Sequence, residues 1–368
     1  MMRILHFYQA EDTIIAQHVA MLQEGMGLEA ENHLAAQTND ARTLLQGSHY
    51  DILHVHGCWR NASRSIVRLA LRQGCRLVIT PHGQLEPWIQ EDNYWQEKLP
   101  KRVLYQQALI RQAYAVIIQG NMEQECMERL GWNKRLVTIR NCVITSSISK
   151  TDMARQTFKL YQKVMDTNTW ELLTAEMRQQ LKTILMAGIT GDVRWLPQSA
   201  VGSLSPAPSL PWRKLLLYAH HEQITDTLQR GLRILHIEFP EIDVEQIDHF
   251  WPEDYQEAPL ISPTIGNQFV SENDRLLASF RVIRKLISNG QFSIKHLIEL
   301  DRELRQYSCE EEELGETLKE RQLWKLARRT MQVMADRTGL TIGFMPVAPL
   351  DDYKTRSLKR QIDNHLKL

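Results

Sequence analysis

Two short apolar runs in this chain each stop at a histidine followed by glycine. Ile52-Leu-His-Val-His56 runs into Gly57, and Leu77-Val-Ile-Thr80 runs into Pro81-His82-Gly83. Runs this short and this apolar suit strands covered on both faces, as in a parallel sheet. The glycine or proline behind each one ends the strand and turns the chain. Such strands deliver a titratable ring to the carboxyl edge of a sheet, which is where open α/β sheets bind their ligands.

The alternation around them extends the constraint. Strands are expected at Met2–Tyr8, Asp51–His56, Arg76–Thr80, Ala115–Ile118 and Leu136–Ile139, and helices at Thr13–Gly25, Ala62–Gln73, Lys101–Ala113 and Met122–Leu130. Strands alternating with helices predict an α/β, Rossmann-like parallel sheet with helices on both faces over residues 1–147. Residues 148–270 form a divergent middle region. It is mostly helical from Lys159 to Leu185 and rich in Gly, Ser and Pro from Gly188 to Pro211. A helix then runs from Lys214 toward Arg230, with Gly231 as its stop. Residues 271–368 read as a helical region. Ser271 caps its first helix, Ser293 opens a second, and a third covers Glu310 to Arg337.

Charge and cysteine content exclude several classes. The chain carries 44 acidic and 44 basic residues. That balance gives no global field for holding nucleic acid. The five cysteines include no Cys-x-x-Cys pair, so neither a zinc ribbon nor a redox motif is expected. They suit a reducing compartment. No apolar run reaches the length of a membrane span. A cytoplasmic protein is expected, with peripheral membrane contact left open.

Five segments in order resemble the N-terminal domain of family-four, GT-B-type glycosyltransferases. They are Asp51-Ile-Leu-His-Val-His-Gly57, Thr80-Pro-His-Gly-Gln-Leu-Glu-Pro-Trp88, Ala115-Val-Ile-Ile-Gln-Gly-Asn-Met-Glu123, Leu130-Gly131, and Val137-Thr-Ile-Arg-Asn-Cys-Val143. The resemblance implies sugar transfer from a nucleotide-sugar donor to a saccharide or lipid-linked acceptor, with retention at the anomeric carbon, in surface-polysaccharide synthesis. It implies an acceptor-side first domain and a donor-side second one, with no metal or other cofactor. The chain departs from the family where its first strand ends. Gln9-Ala-Glu-Asp-Thr13 has no glycine and two carboxylates. The usual turn there lets bare backbone approach a diphosphate. The second half shows no Gly-Arg…Lys-Gly segment and no spaced Glu pair. A catalytically inactive scaffold or sugar-binding protein is therefore the alternative.

His82 is the catalytic candidate, since an imidazole suits hydroxyl recognition near neutral pH. The resemblance adds His56, Gly57, Trp59, Gly83, Trp88, Asn121 and Glu123 as substrate-binding residues. His54 and His56 are read as facing opposite sides of their strand, so that one metal ion cannot take both. Lys98, Lys101, Arg102 and Arg111 form a basic run suited to anionic lipid or to a solvated helix face. Glu11 and Asp12 are expected to cap the helix that follows them.

Overall fold

The computed structural model describes residues 1–86, 94–202, 204, 210–252, 255–256, 259–261, 271–306 and 308–367. The chain divides into two compact units. One is Met1–Thr167 with Asp248–Phe250, and the other is Asn168–Ile247 with Trp251–Leu368.

The first unit is a parallel sheet of six strands: β1 (Met2–Phe7), β2 (Ala30–Ala35), β3 (Ile52–His56), β4 (Arg76–Thr80), β5 (Ala115–Ile118) and β6 (Leu136–Thr138). Their order is β2-β1-β3-β4-β5-β6. The chain winds outward from β1 to β2, then returns to β3 and winds the other way. The switch point lies between β1 and β3, where His6 pairs in register with His54.

The period of two along each strand feeds two separate cores. Leu5, Leu53, Leu77, Ile79 and Val116 enter one. Ile4, Ile52, Val78 and Ile117 enter the other. That second core is closed by α1 (Thr13–Met26), through Leu22 and Met26, and by Lys150–Asp166, through Met153, Tyr161 and Val164. The last of these helices belongs to the first unit, so the boundary falls at Thr167 and not near residue 147. Buried Arg76 fastens it to the sheet: its guanidinium donates to the Val164 carbonyl at 2.6 Å and lies 4.2 Å over the Tyr114 ring.

Two elements escape the hydrophobic pattern. β2, Ala30-Glu-Asn-His-Leu-Ala35, is an edge strand with its middle only half buried, and α2 (Thr38–Gly47) follows it. The remaining helices of this unit are α3 (Asn61–Arg72), α4 (94–112) and α5 (Asn121–Leu130). α4 begins before the expected Lys101, and two of its turns take the wider π spacing, Tyr94–Lys98 and Arg102–Gln106.

The second unit has no strand among its described residues. Its longer helices are Ala175–Thr190, Trp212–His221, Thr225–Ile234, Glu272–Ser288, Ile294–Gln306, Glu311–Glu320, Trp324–Arg337 and Tyr353–Asn364. Gly231 stops nothing. It lies inside Thr225–Ile234, where a Cβ would strike the Ile184 carbonyl, as a Cβ on Gly188 would strike that of Thr227. The two glycines let the helices cross backbone to backbone. The expected break falls earlier, at Gln223, and a second break at Gln322 divides the long helix predicted from Glu310 to Arg337. Ser271 caps as expected, accepting from the Asp274 N–H at 3.2 Å. No described helix is long and apolar enough to cross a membrane.

Candidate functional site

At the carboxyl end of β1 and β3, five histidines gather on one face of the sheet. His6, His54 and His56 continue the face that Ile4 and Ile52 begin. The expectation that His54 and His56 point apart is wrong, because residues two apart on a strand share a face. Their ring centroids lie 3.9 Å apart. His18 reaches the group from α1, and His82 from the turn after β4; the two rings meet edge to face at 4.8 Å.

Short polar contacts thread the group into a chain. His6 Nε2 faces Asn32 Oδ1 at 3.0 Å, and His6 Nδ1 faces His56 Nε2 at 3.0 Å. His56 Nδ1 faces His82 Nε2 at 3.1 Å, and His82 Nδ1 faces Gln119 Oε1 at 3.2 Å. To one side, His18 Nδ1 meets Asn141 Oδ1 at 3.0 Å. His54 is enclosed by two hydroxyls, those of Tyr161 and Thr80, each at 2.7 Å.

Burial sets the charge of this group. A ring removed from water favours its neutral form. Desolvation pulls His6 and His18 down to about 4. It also carries His54, His56 and His82 well below the ordinary 6.5, with neighbouring rings adding to the effect. At neutral pH the cluster is a set of uncharged donors and acceptors.

The turn that holds His82 is strained and braced. His82 has φ 57° and Gly83 φ 77°. Left-handed backbone at a residue with a side chain costs about 1–3 kcal/mol and gathers at functional sites. Glu123, on α5, steadies the turn by accepting from the Gly83 N–H at 2.8 Å and the Gln119 N–H at 3.3 Å. Its carboxyl is buried, which pushes its pKa up to about 7 against the pull of those two N–H groups.

The other candidates separate clearly. Gly57, at φ 86°, turns the chain out of β3, and Trp59 follows at φ 64°. Trp59 is packed into the wall, 9% exposed, with its indole N–H donated to the Gln84 carbonyl at 2.8 Å. Asn121 opens α5 as an exposed residue, and its side chain makes no hydrogen bond to the cluster among the described residues. Trp88 lies outside the described residues. Asp12 caps α1, accepting from the Ile15 N–H at 3.1 Å. A carboxylate therefore occupies the helix N-terminus where a diphosphate would otherwise find free N–H groups.

His6, His18, Asn32, Gln119 and Tyr161 are the members that sequence reasoning missed. His6 lies next to the last residue of β1, in register with His54 in the middle of β3, so the available signal was a histidine near the carboxyl end of the first strand.

Residues 17–142 match the family model described as a glycosyl transferase 4-like domain. No curated protein and no solved structure matches the chain. The match covers His18, His56, His82, Glu123 and Asn141, and leaves out His6 and Tyr161. The first unit thus carries a glycosyltransferase-like domain on a Rossmann-like sheet, and glycosyl transfer in general is the activity this supports.

Proposed function

We propose that the protein transfers a sugar from a nucleotide-sugar donor to a saccharide or lipid-linked acceptor, with retention, in surface-polysaccharide synthesis. The observation that carries this reading is the His82-Gly83 turn. It is a strained loop at the carboxyl edge of β4, beside the switch point, and a buried carboxylate braces it. In this reading His82 is the catalytic residue, and His56, Gly57, Trp59, Gly83, Trp88, Asn121 and Glu123 form the acceptor side.

His82 acts as a neutral hydrogen-bond partner for a sugar hydroxyl, because burial removes its standing charge. Both of its ring nitrogens already face partners, so a hydroxyl engages it by displacing Gln119 or His56. Trp59 serves as a fixed wall, with the Lys98 ammonium 5.3 Å over its ring. Three apolar side chains of α4 are largely exposed, Trp95, Val103 and Leu104. With Lys101 and Arg102 on the same run, they suit an anionic lipid surface and so a lipid-linked acceptor.

Two observations favour a second reading, a sugar-binding protein without catalysis. The capped N-terminus of α1 leaves no open diphosphate cradle there. The second unit has no strand among its described residues, and so offers no parallel sheet there for a nucleotide. A thermal-shift and nucleotide-release screen against a panel of nucleotide sugars separates the readings. Stabilisation by one nucleotide sugar, with acceptor-dependent nucleotide release, supports transfer. Binding of free saccharides with no response to any nucleotide sugar supports the second reading.

A further inference from the structure

Hydrogen-bond accounting in the histidine cluster, followed inward from backbone groups, leaves three ring nitrogens with a free lone pair. Asn32 is oriented by its Nδ2, which donates to the Ala30 carbonyl at 3.2 Å. Its Oδ1 therefore accepts from His6 Nε2–H. A neutral His6 then presents a lone pair at Nδ1, which accepts from His56 Nε2–H, and His56 is left with a lone pair at Nδ1. The other end runs through the Asn141 and Gln119 amides. The Val143 N–H donates to Asn141 Oδ1 at 3.0 Å, so Asn141 Nδ2 points at Gln119 Oε1, 3.5 Å away. That oxygen accepts from His82 Nδ1–H, and His82 is left with a lone pair at Nε2. The two lone pairs face each other at 3.1 Å. His18 must donate from Nδ1 to the same Asn141 oxygen, which leaves its Nε2 as a third. Turning the Gln119 amide over would seat a donor on His82, but it would also set that donor against Asn141 Nδ2.

We propose that His18, His56 and His82 form a binding site for a divalent first-row transition metal of the Zn²⁺ kind, with a fourth position left for water or a ligand oxygen. One ring nitrogen from each lies within 4.8 Å of the other two. Tetrahedral Zn²⁺ with Zn–N of about 2.0–2.1 Å needs nitrogens roughly 3.4 Å apart, so modest ring movement closes the set. Each ligand is backed as metal-bound imidazoles usually are, with its second nitrogen donating to a fixed acceptor. Asn141 backs His18, Gln119 backs His82, and the His6–Asn32 relay backs His56. Neutral imidazole is the ligand form, and these rings are removed from water. His82, the half-buried member, gives the ion a way in. A lone bridging proton would satisfy His56 and His82 but not His18.

His6, His54 and His56 also lie close enough to hold an ion. That set fits worse, because both nitrogens of His54 are taken by hydroxyls and His6 Nδ1 is already used. The site shares His56 and His82 with the proposed transfer site, but its test reads metal binding and does not depend on transfer. It runs against the expectation, implied by the family resemblance, that no metal is bound.

The test is Co²⁺ titration of the full, chelator-treated chain, with circular dichroism to confirm that it is folded. One equivalent should bind with the visible absorption of tetrahedral Co²⁺, and Zn²⁺ should displace it. His18→Ala should abolish the band. Asn141→Ala, which keeps all three ligands, should weaken binding about 10–100-fold. Tyr161→Phe, which disturbs only the other set, should leave affinity unchanged. The proposal is overturned if the folded chain takes up no stoichiometric Co²⁺. It is equally overturned if the band survives His18→Ala, if Asn141→Ala leaves the affinity unchanged, or if Tyr161→Phe alone abolishes the band.

Discussion

Replacing Glu123 with glutamine removes the buried, titratable carboxyl that braces the His82 turn. The carboxyl titrates at 4.5 when exposed and at about 7 in the folded protein, so the native state binds the extra proton between those values. Stability contributed by the protonated form is fully present below pH 4.5 and is lost as pH rises through 7. A shift of this size corresponds to ~3 kcal/mol across the window, at 1.36 kcal/mol per pH unit. The histidines pull the other way. His6 and His18, lowered to about 4, make the protein gain stability as pH rises from there toward 6.5. The raw pH–stability curve therefore mixes opposing slopes, and the difference between wild type and Glu123→Gln separates them. The glutamine keeps one acceptor for the Gly83 N–H and sets an amide against the Gln119 N–H. That adds a pH-independent cost of about 1–3 kcal/mol. Urea unfolding of both proteins from pH 4.5 to 8.5, with near-ultraviolet dichroism as the probe, gives the curve. The variant should be weaker at pH 4.5 and should recover ~3 kcal/mol relative to wild type by pH 8.5. A difference that stays flat would refute the claim that this carboxyl is held protonated by burial.

Three further outcomes follow from the same structure. His82→Ala should lower turnover by about 10²–10⁴-fold if the ring handles a reacting hydroxyl, and steady-state transfer assays measure it. Tyr161→Phe removes the hydroxyl on His54 Nδ1 and leaves a buried nitrogen without a partner, costing about 1–3 kcal/mol in urea unfolding. Gly231→Ala forces apart two helices that touch through backbone, and should cost the second unit about 1–3 kcal/mol, read from its thermal transition.

The sheet was legible where its strands are central. β3, β4 and β5 are apolar runs buried on both faces, and their Gly and Pro boundaries are explicit in the sequence. β2 was hidden because an edge strand can carry Glu31, Asn32 and His33 at no cost in core. The candidate site divides in the same way. His56 and His82 announce themselves because a glycine follows each. His6 and His18 look like ordinary members of a strand and of an amphipathic helix. Their meaning depends on strand order, which brings β1 beside β3, and on contacts such as His18 with Asn141, 123 residues away. Arg76 shows the same limit. Nothing local marks a strand arginine that reaches the far end of the helix Lys150–Asp166. Of the two carboxylates after β1, Asp12 is legible as a helix cap, because a cap is decided within one turn.

The central claim is sugar transfer at the His82 edge, and acceptor-dependent release of nucleotide from a nucleotide-sugar panel tests it most directly. The account predicts release with one donor class, reduced by about 10²–10⁴-fold in His82→Ala while that variant stays folded. No release and no thermal stabilisation with any donor, in protein that still binds saccharide, would contradict it.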